Sequence, residues 1–224
     1  MTNSAIVHMV GVSQAYGSTV DPISVLHDVN LTIERGEKAS LIGPSGSGKS
    51  TLMSLIAGLL RPTAGTIQID GVPLSGLNDG ARARLRASQI GIALQSDNLI
   101  PFLTARENIE LAMSFVPAGA RRSSTTRAQE LLDRFGVGAR AQHRPRQLSG
   151  GEAQRVALAV AMANGPALLL ADEVVGQLDR ETAGEVVDDV LAADFAVLFV
   201  THDVGLADRA DQRYAIEDGR ICAR

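Results

Sequence analysis

The sequence has 224 residues, 45% hydrophobic and 21% charged, with a formal net charge of −4, values ordinary for a globular chain of one large domain. The negative balance argues against sequence-independent nucleic-acid binding, and no run of 18 apolar residues is long enough to span a bilayer. The N-terminus lacks the pattern of a signal peptide, and the single Cys222 excludes an intrachain disulfide, which fits a reducing compartment.

Ile6–Val12 and Leu31–Ile33 carry short β-type apolar patterns, the second broken at Gly36-Glu37. Ala39–Ile42 is a short apolar segment that leads into a glycine-rich stretch. Thr51–Leu60 reads as a helix, stopped by Arg61-Pro62-Thr63 and Gly65. Thr66–Ile69 alternates like a half-buried strand, and Asp70-Gly71 marks a turn. Between 96 and 160 the apolar spacing shifts towards 3.6: Leu99, Leu103, Ile109, Leu111 and Met113, then Ala128, Leu131, Leu132 and Phe135. This predicts a helical insert in an α/β protein, with the small, polar, basic Pro117–Ser124 as a surface loop. Continuous apolar runs return at Ala167–Ala171 and Phe195–Val200, as suits strands of a parallel sheet buried on both faces. They end in Asp172-Glu173 and Thr201-His202-Asp203. Polar residues therefore fall at strand C-terminal ends, where open α/β sheets hold ligands.

The glycine-rich stretch, Gly43-Pro44-Ser45-Gly46-Ser47-Gly48-Lys49-Ser50, fits G-x-x-x-x-G-K-[ST]. Its glycines permit a tight turn that presents backbone N–H groups to phosphate oxygens. Lys49 can reach the β- and γ-phosphates, and the Ser50 hydroxyl can sit on Mg²⁺. The following helix aims its positive end at the anion. A phosphate loop also needs a carboxylate for the metal, and Asp172 stands at the end of a buried-type strand. Glu173 follows and is suited to polarising the attacking water. These residues point to an ATP–Mg²⁺ complex.

Leu148-Ser149-Gly150-Gly151-Glu152-Ala153-Gln154-Arg155 resembles the LSGGQ signature of ABC-type ATPases. With the phosphate loop and the strand ending in Asp172-Glu173, in the family's order and spacing, the chain resembles an ABC-transporter nucleotide-binding subunit from about Val7 to Gly219. The resemblance implies an α/β fold with a P-loop NTPase (RecA-like) core, an antiparallel β subdomain and an inserted α-helical subdomain, over a single domain of residues 1–224. It implies ATP hydrolysis with Glu173, His202 and Gln95 in catalytic roles, and Ser50, Gln95 and Asp172 around Mg²⁺. It assigns Tyr16 to adenine stacking and Gly43, Ser45, Gly46, Gly48, Lys49, Ser50 and Thr51 to the phosphates. Asp179 matches the D-loop. Ser149, Gly150 and Gly151 are implied to bind the nucleotide held by a second copy, so that two subunits pack head to tail around two ATP molecules.

Three positions depart from the family's pattern: Val174-Val175 stand where Pro-Thr is usual, Val160 where Arg is common, and Ala93 where Phe is frequent. They bear on D-loop geometry, helix surface contacts and turnover, while the groups assigned to chemistry remain. The segment from Gln95 to Asn108 and the Arg-rich Ala81–Arg86 resemble the lipoprotein-releasing and macrolide-exporter class. That class implies an integral-membrane permease partner, a peripheral position on the cytoplasmic face of the cell membrane, and no nucleic-acid partner. The alternatives are an ABC ATPase that drives a membrane complex without transport, such as a cell-division regulator, a soluble ABC ATPase acting on DNA or ribosomes, and a non-hydrolysing binding module.

Overall fold

The computed structural model describes residues 4–17, 21–93, 99–116, 124–172, 184, 187–188 and 190–223. In chain order the elements are β1 (Ala5–Gly17), β2 (Pro22–Glu34), β3 (Lys38–Ile42), α1 (Lys49–Ile56), β4 (Ala64–Ile69), β5 (Val72–Pro73), α2 (Asp79–Gln89) and β6 (Ile90–Ala93). They continue with α3 (Ala105–Ser114), α4 (Ser124–Arg134), α5 (Gly150–Ala161), β7 (Leu168–Asp172), β8 (Ala196–Val200), α6 (Val204–Ala207), β9 (Gln212–Glu217) and β10 (Arg220–Ala223). The chain forms two compact units: Met1–Ala83 with Asp194–Arg224, and Arg84–Ala193.

The first unit contains an antiparallel sheet in the order β2-β1-β4-β5. β1 and β2 each run well beyond the segments expected from sequence, because bulges break their alternation. Gly11 (φ 61°) and Asp28 (φ 49°) take left-handed conformations, and the pairing register shifts between Met9 and Val12. In β2 the buried side chains are Leu26, Val29, Leu31 and Ile33, so the period of two holds only beyond the bulge. Asp70-Gly71 and Asp218-Gly219 have positive φ at both residues, and they turn β4 into β5 and β9 into β10. Paired positive φ values are what a tight two-residue hairpin requires.

The same unit holds a parallel group in which β3 pairs with both β8 and β9. All five residues of β8 and the first four of β3 are buried, in keeping with strands covered on both faces. Lys38 is a buried charge at the foot of β3. Its ammonium donates to the carbonyls of Gly36 (2.7 Å) and Phe195 (2.6 Å), which ties the foot of β3 to the residue before β8. Burial lowers its pKa below the usual lysine value.

In the second unit β6 and β7 pair in parallel, and α3, α4 and α5 bury Ile109, Leu132, Val156 and Leu158. The apolar spacing suggests helical continuity from Leu99, but α3 starts at Ala105, so Leu99 and Leu103 precede it. Thr104 caps that helix with Glu107 in a reciprocal box. Buried Asn108 fixes the segment before the cap: it accepts from the Ile100 N–H (2.7 Å) and donates to the Thr104 carbonyl (2.9 Å). Phe102, on that pinned segment, is 71% exposed. Residues 117–123 lie outside the described residues, and Ser124 already belongs to α4.

Candidate functional site

β3 delivers the chain at Ile42 into the glycine loop, and α1 leaves it at Lys49. The loop's backbone tolerates no side chain at two points. A Cβ on Gly43 would stand 2.3 Å from the Ile216 carbonyl oxygen, and one on Gly48 would stand 2.8 Å from Leu26 Cδ2. Gly48 also has φ 103° and is the N-cap of α1. No side chain caps this helix, and no acidic residue occupies its first turn. Its first N–H groups thus have neither an intrahelical acceptor nor a capping side chain, and they sit at the positive end of the helix dipole.

The surrounding groups suit an anion and a hard cation. The Lys49 ammonium donates to the carbonyls of Gly43 and Pro44, both at 2.8 Å, and so lies over the loop. Buried Ser47 has a hydroxyl with no hydrogen-bond partner among the described residues. Ser45, Gly46 and Ser50 are exposed, with Gly46 at φ 79°. The loop itself offers hydroxyl oxygens as metal donors, among them the exposed Ser50 hydroxyl. Mg²⁺, which takes few protein ligands and keeps water and phosphate oxygens, fits that donor set.

Two further expected residues stand near the loop in the same unit. The Tyr16 hydroxyl lies 3.4 Å from Thr51 Oγ1, beside the first turn of α1, and the residue is 41% exposed. His202 follows β8, whose Val200 pairs with Leu41 of β3, and the Thr201 N–H donates to the Leu41 carbonyl (3.4 Å). The exposed His202 therefore follows the C-terminal ends of the strand pair that launches the loop. Asp203, next to it, caps α6 through the Leu206 N–H.

The second unit carries the rest. Asp172 closes β7, one residue beyond Ala171, which pairs with Ala93 at the end of β6. Gln95, Glu173 and Asp179 lie outside the described residues, as do Val174 and Val175. Ser149 is the N-cap of α5, which begins at Gly150. Its hydroxyl accepts from the Glu152 N–H (3.2 Å), and Glu152 Oε2 accepts from the Ser149 N–H (2.8 Å). Arg140 Nε donates to the other carboxylate oxygen at 2.7 Å. Arg140 and, after it, the Ser149 N–H hold the Glu152 carboxyl at about 2, far below its usual value.

A strand, a glycine loop and an uncapped helix arranged this way bind a phosphate chain, and the comparisons with known proteins agree. Residues 26–176 match the family model described as ABC transporter. The chain belongs to this family. A lipoprotein-releasing system ATP-binding protein, LolD, of Nitrobacter hamburgensis is 43% identical over 222 residues, covering 96% of this chain and 94% of that protein. LolD 1 of Caulobacter vibrioides is 40% identical, with 99% and 95% covered. Among solved structures, the dimeric post-hydrolysis state of the ATP-binding cassette MJ0796 bound to ADP and Pi superposes with a TM-score of 0.91 at 37% identity, covering 97% of each chain. The chain is an ATP-binding subunit with the P-loop NTPase fold and ATPase activity of its family.

Of the family departures within the described residues, Ala93 is fully buried at the end of β6 and Val160 is half-buried on α5. Sequence reasoning missed the reciprocal cap at the signature. Its signal was present, since Ser149 with Glu152 three residues later is a capping-box pattern. The Arg140 partner had no local signal, being 12 residues upstream across an irregular segment.

Proposed function

We propose that this chain powers a membrane transporter of the lipoprotein-releasing type, working as a head-to-tail pair of copies that clasp two ATP–Mg²⁺ complexes. The observation that carries the proposal is identity above 40% along nearly the whole length to lipoprotein-releasing ATP-binding proteins. No helix among the described residues is long and apolar enough to cross a membrane, so contact with the bilayer is assigned to a separate integral-membrane permease. The pinned, exposed Phe102 supports a docking face for that permease on the segment before α3. The chain then works at the cytoplasmic face of the membrane, without a nucleic-acid partner. The single ABC domain of residues 1–224, with a helical subdomain inserted at about 96–160, is part of the same proposal.

The chemistry is ATP plus water giving ADP and phosphate. Gly43, Ser45, Gly46 and Gly48 present backbone to the phosphates, while Lys49 places its charge on the β- and γ-oxygens and Tyr16 stacks on the adenine. Thr51, in the first turn of α1, contacts the phosphates beside them. Ser50, Gln95 and Asp172 would hold Mg²⁺, which would supply positive charge to the phosphate oxygens. Glu173 polarises the attacking water and takes its proton as the water oxygen bonds to the γ-phosphorus, while the bond to the β-γ bridging oxygen breaks with its electron pair leaving on ADP. His202 donates to the γ-phosphate and stabilises the charge that develops there. Ser149, Gly150 and Gly151 of a second copy, with Asp179 near the junction, close the γ side.

Glu173→Gln tests this directly. It should keep ATP binding and slow hydrolysis at least about a hundredfold, the usual scale for losing a general base. Normal turnover would overturn the assignment. Co-purification from membranes with a permease supports the transporter reading; a partner with no transport activity points to the non-transport alternative.

A further inference from the structure

We propose that Arg140 is a positioning residue for the signature helix: it neutralises Glu152 so that the γ-phosphate held by a second copy can approach the N-terminus of α5. The inference rests on the head-to-tail pairing proposed above.

The first turn of α5 faces two requirements that conflict. A carboxylate at Glu152 completes the reciprocal cap by accepting from the Ser149 N–H at 2.8 Å, which fixes the turn. The same carboxylate brings a full negative charge to the helix end that must receive another anion, where it repels a γ-phosphate. Arg140 removes the conflict. Its Nε lies 2.7 Å from Glu152 Oε1, the oxygen that the cap does not use, so one carboxylate serves both partners. The ion pair leaves the cap intact while it cancels the charge. The Arg140 side chain is 45% exposed and that of Glu152 19%, so the pair lies at the surface, with the carboxylate the more sheltered of the two. The segment that presents Arg140 is anchored independently. The Arg106 N–H donates to the Ala141 carbonyl (3.0 Å) and the Ala105 N–H to the His143 carbonyl (2.8 Å), which ties the stretch after Arg140 to the start of α3.

A charge-cancelling role differs from a packing role in one testable way: it disappears when the charge it cancels is removed. Glu152→Gln keeps the cap, because a glutamine amide oxygen accepts the same N–H, but carries no charge. The experiment measures ATP-driven dimerisation by sedimentation in the Glu173→Gln protein and, separately, ATP affinity at low protein concentration. In that parent, Arg140→Gln should weaken dimerisation about tenfold, the scale of an uncompensated charge at two helix ends. With Glu152→Gln also present, the same change should cost less than about twofold. Arg140→Lys, which keeps the charge, should lie closer to the parent than Arg140→Gln does. ATP affinity of the monomer should stay the same throughout. An equal loss from Arg140→Gln with and without Glu152→Gln would overturn the inference, as would no loss in either. If the parent itself stays monomeric with ATP, the pairing reading fails and this inference falls with it. A parent that dimerises normally confines any failure to Arg140.

Discussion

The chain contains two glycine-rich helix starts that look alike in sequence and are built in opposite ways. At Gly48 the helix opens from a left-handed glycine with no capping side chain and no acidic residue in its first turn, and a lysine lies over the preceding loop. At Ser149 the helix opens from a serine whose N–H and hydroxyl are both engaged by Glu152, which Arg140 holds in turn. The first start leaves its leading N–H groups without a capping side chain, beneath a lysine of the same unit. The second is locked in shape before any ligand arrives, and only the Gly150 and Gly151 N–H groups, which by helix geometry lack an intrahelical acceptor, remain to meet one. In the head-to-tail pairing proposed above, the difference matches two jobs: one end holds ATP alone, while the other meets it only when a second copy presents it.

That contrast can be broken at several points. Lys49→Ala should have the largest effect, reducing ATP affinity about tenfold to a hundredfold, the value of a charge-assisted contact. Equilibrium titration with a fluorescent nucleotide reads it. Gly48→Ala should destabilise the protein by about 1–3 kcal/mol, since alanine must take φ near 103° against Leu26. Thermal unfolding checks this, and a neutral result would mean that the loop has another conformation open to it. Ser149→Ala removes a cap and should cost about 1 kcal/mol of stability, again by unfolding. The smallest effect concerns pH. Folding holds the Glu152 carboxyl at about 2, so the folded protein keeps it ionised where the unfolded chain takes up a proton. Its stabilising contribution is fully present above the ordinary carboxylate range and is lost as pH falls towards about 2. The stability difference between wild type and Glu152→Gln should therefore be constant from pH 8 to about 5 and shrink below that.

Much of this was legible in sequence, where local patterning and tertiary structure agree. The buried runs at Ala39–Ile42, Ala167–Ala171 and Phe195–Val200 became β3, β7 and β8 because strands covered on both faces need no alternation. The phosphate loop was legible because each of its fixed positions has a backbone or charge reason. What escaped was what bulges and distance conceal. β1 and β2 extend past Gly11 and Asp28, where the left-handed residues shift the phase of burial. The β9–β10 hairpin was overlooked although Asp218-Gly219 carries the same signal as Asp70-Gly71. The Thr104 cap and Asn108 replaced a helix expected from the spacing of Leu99 and Leu103, since hydrogen bonds to the Ile100–Thr104 backbone hold that stretch outside the helix. The Arg140–Glu152 pair depends on a tertiary approach that no window of sequence contains.

The most direct test of the contrast is ATP affinity measured on dilute, monomeric protein for Lys49→Ala and Ser149→Ala side by side. The account predicts a loss of at least tenfold for the first and an affinity within about twofold of wild type for the second, because only the Gly48 start binds ATP unaided. Equal losses in the two variants would contradict it.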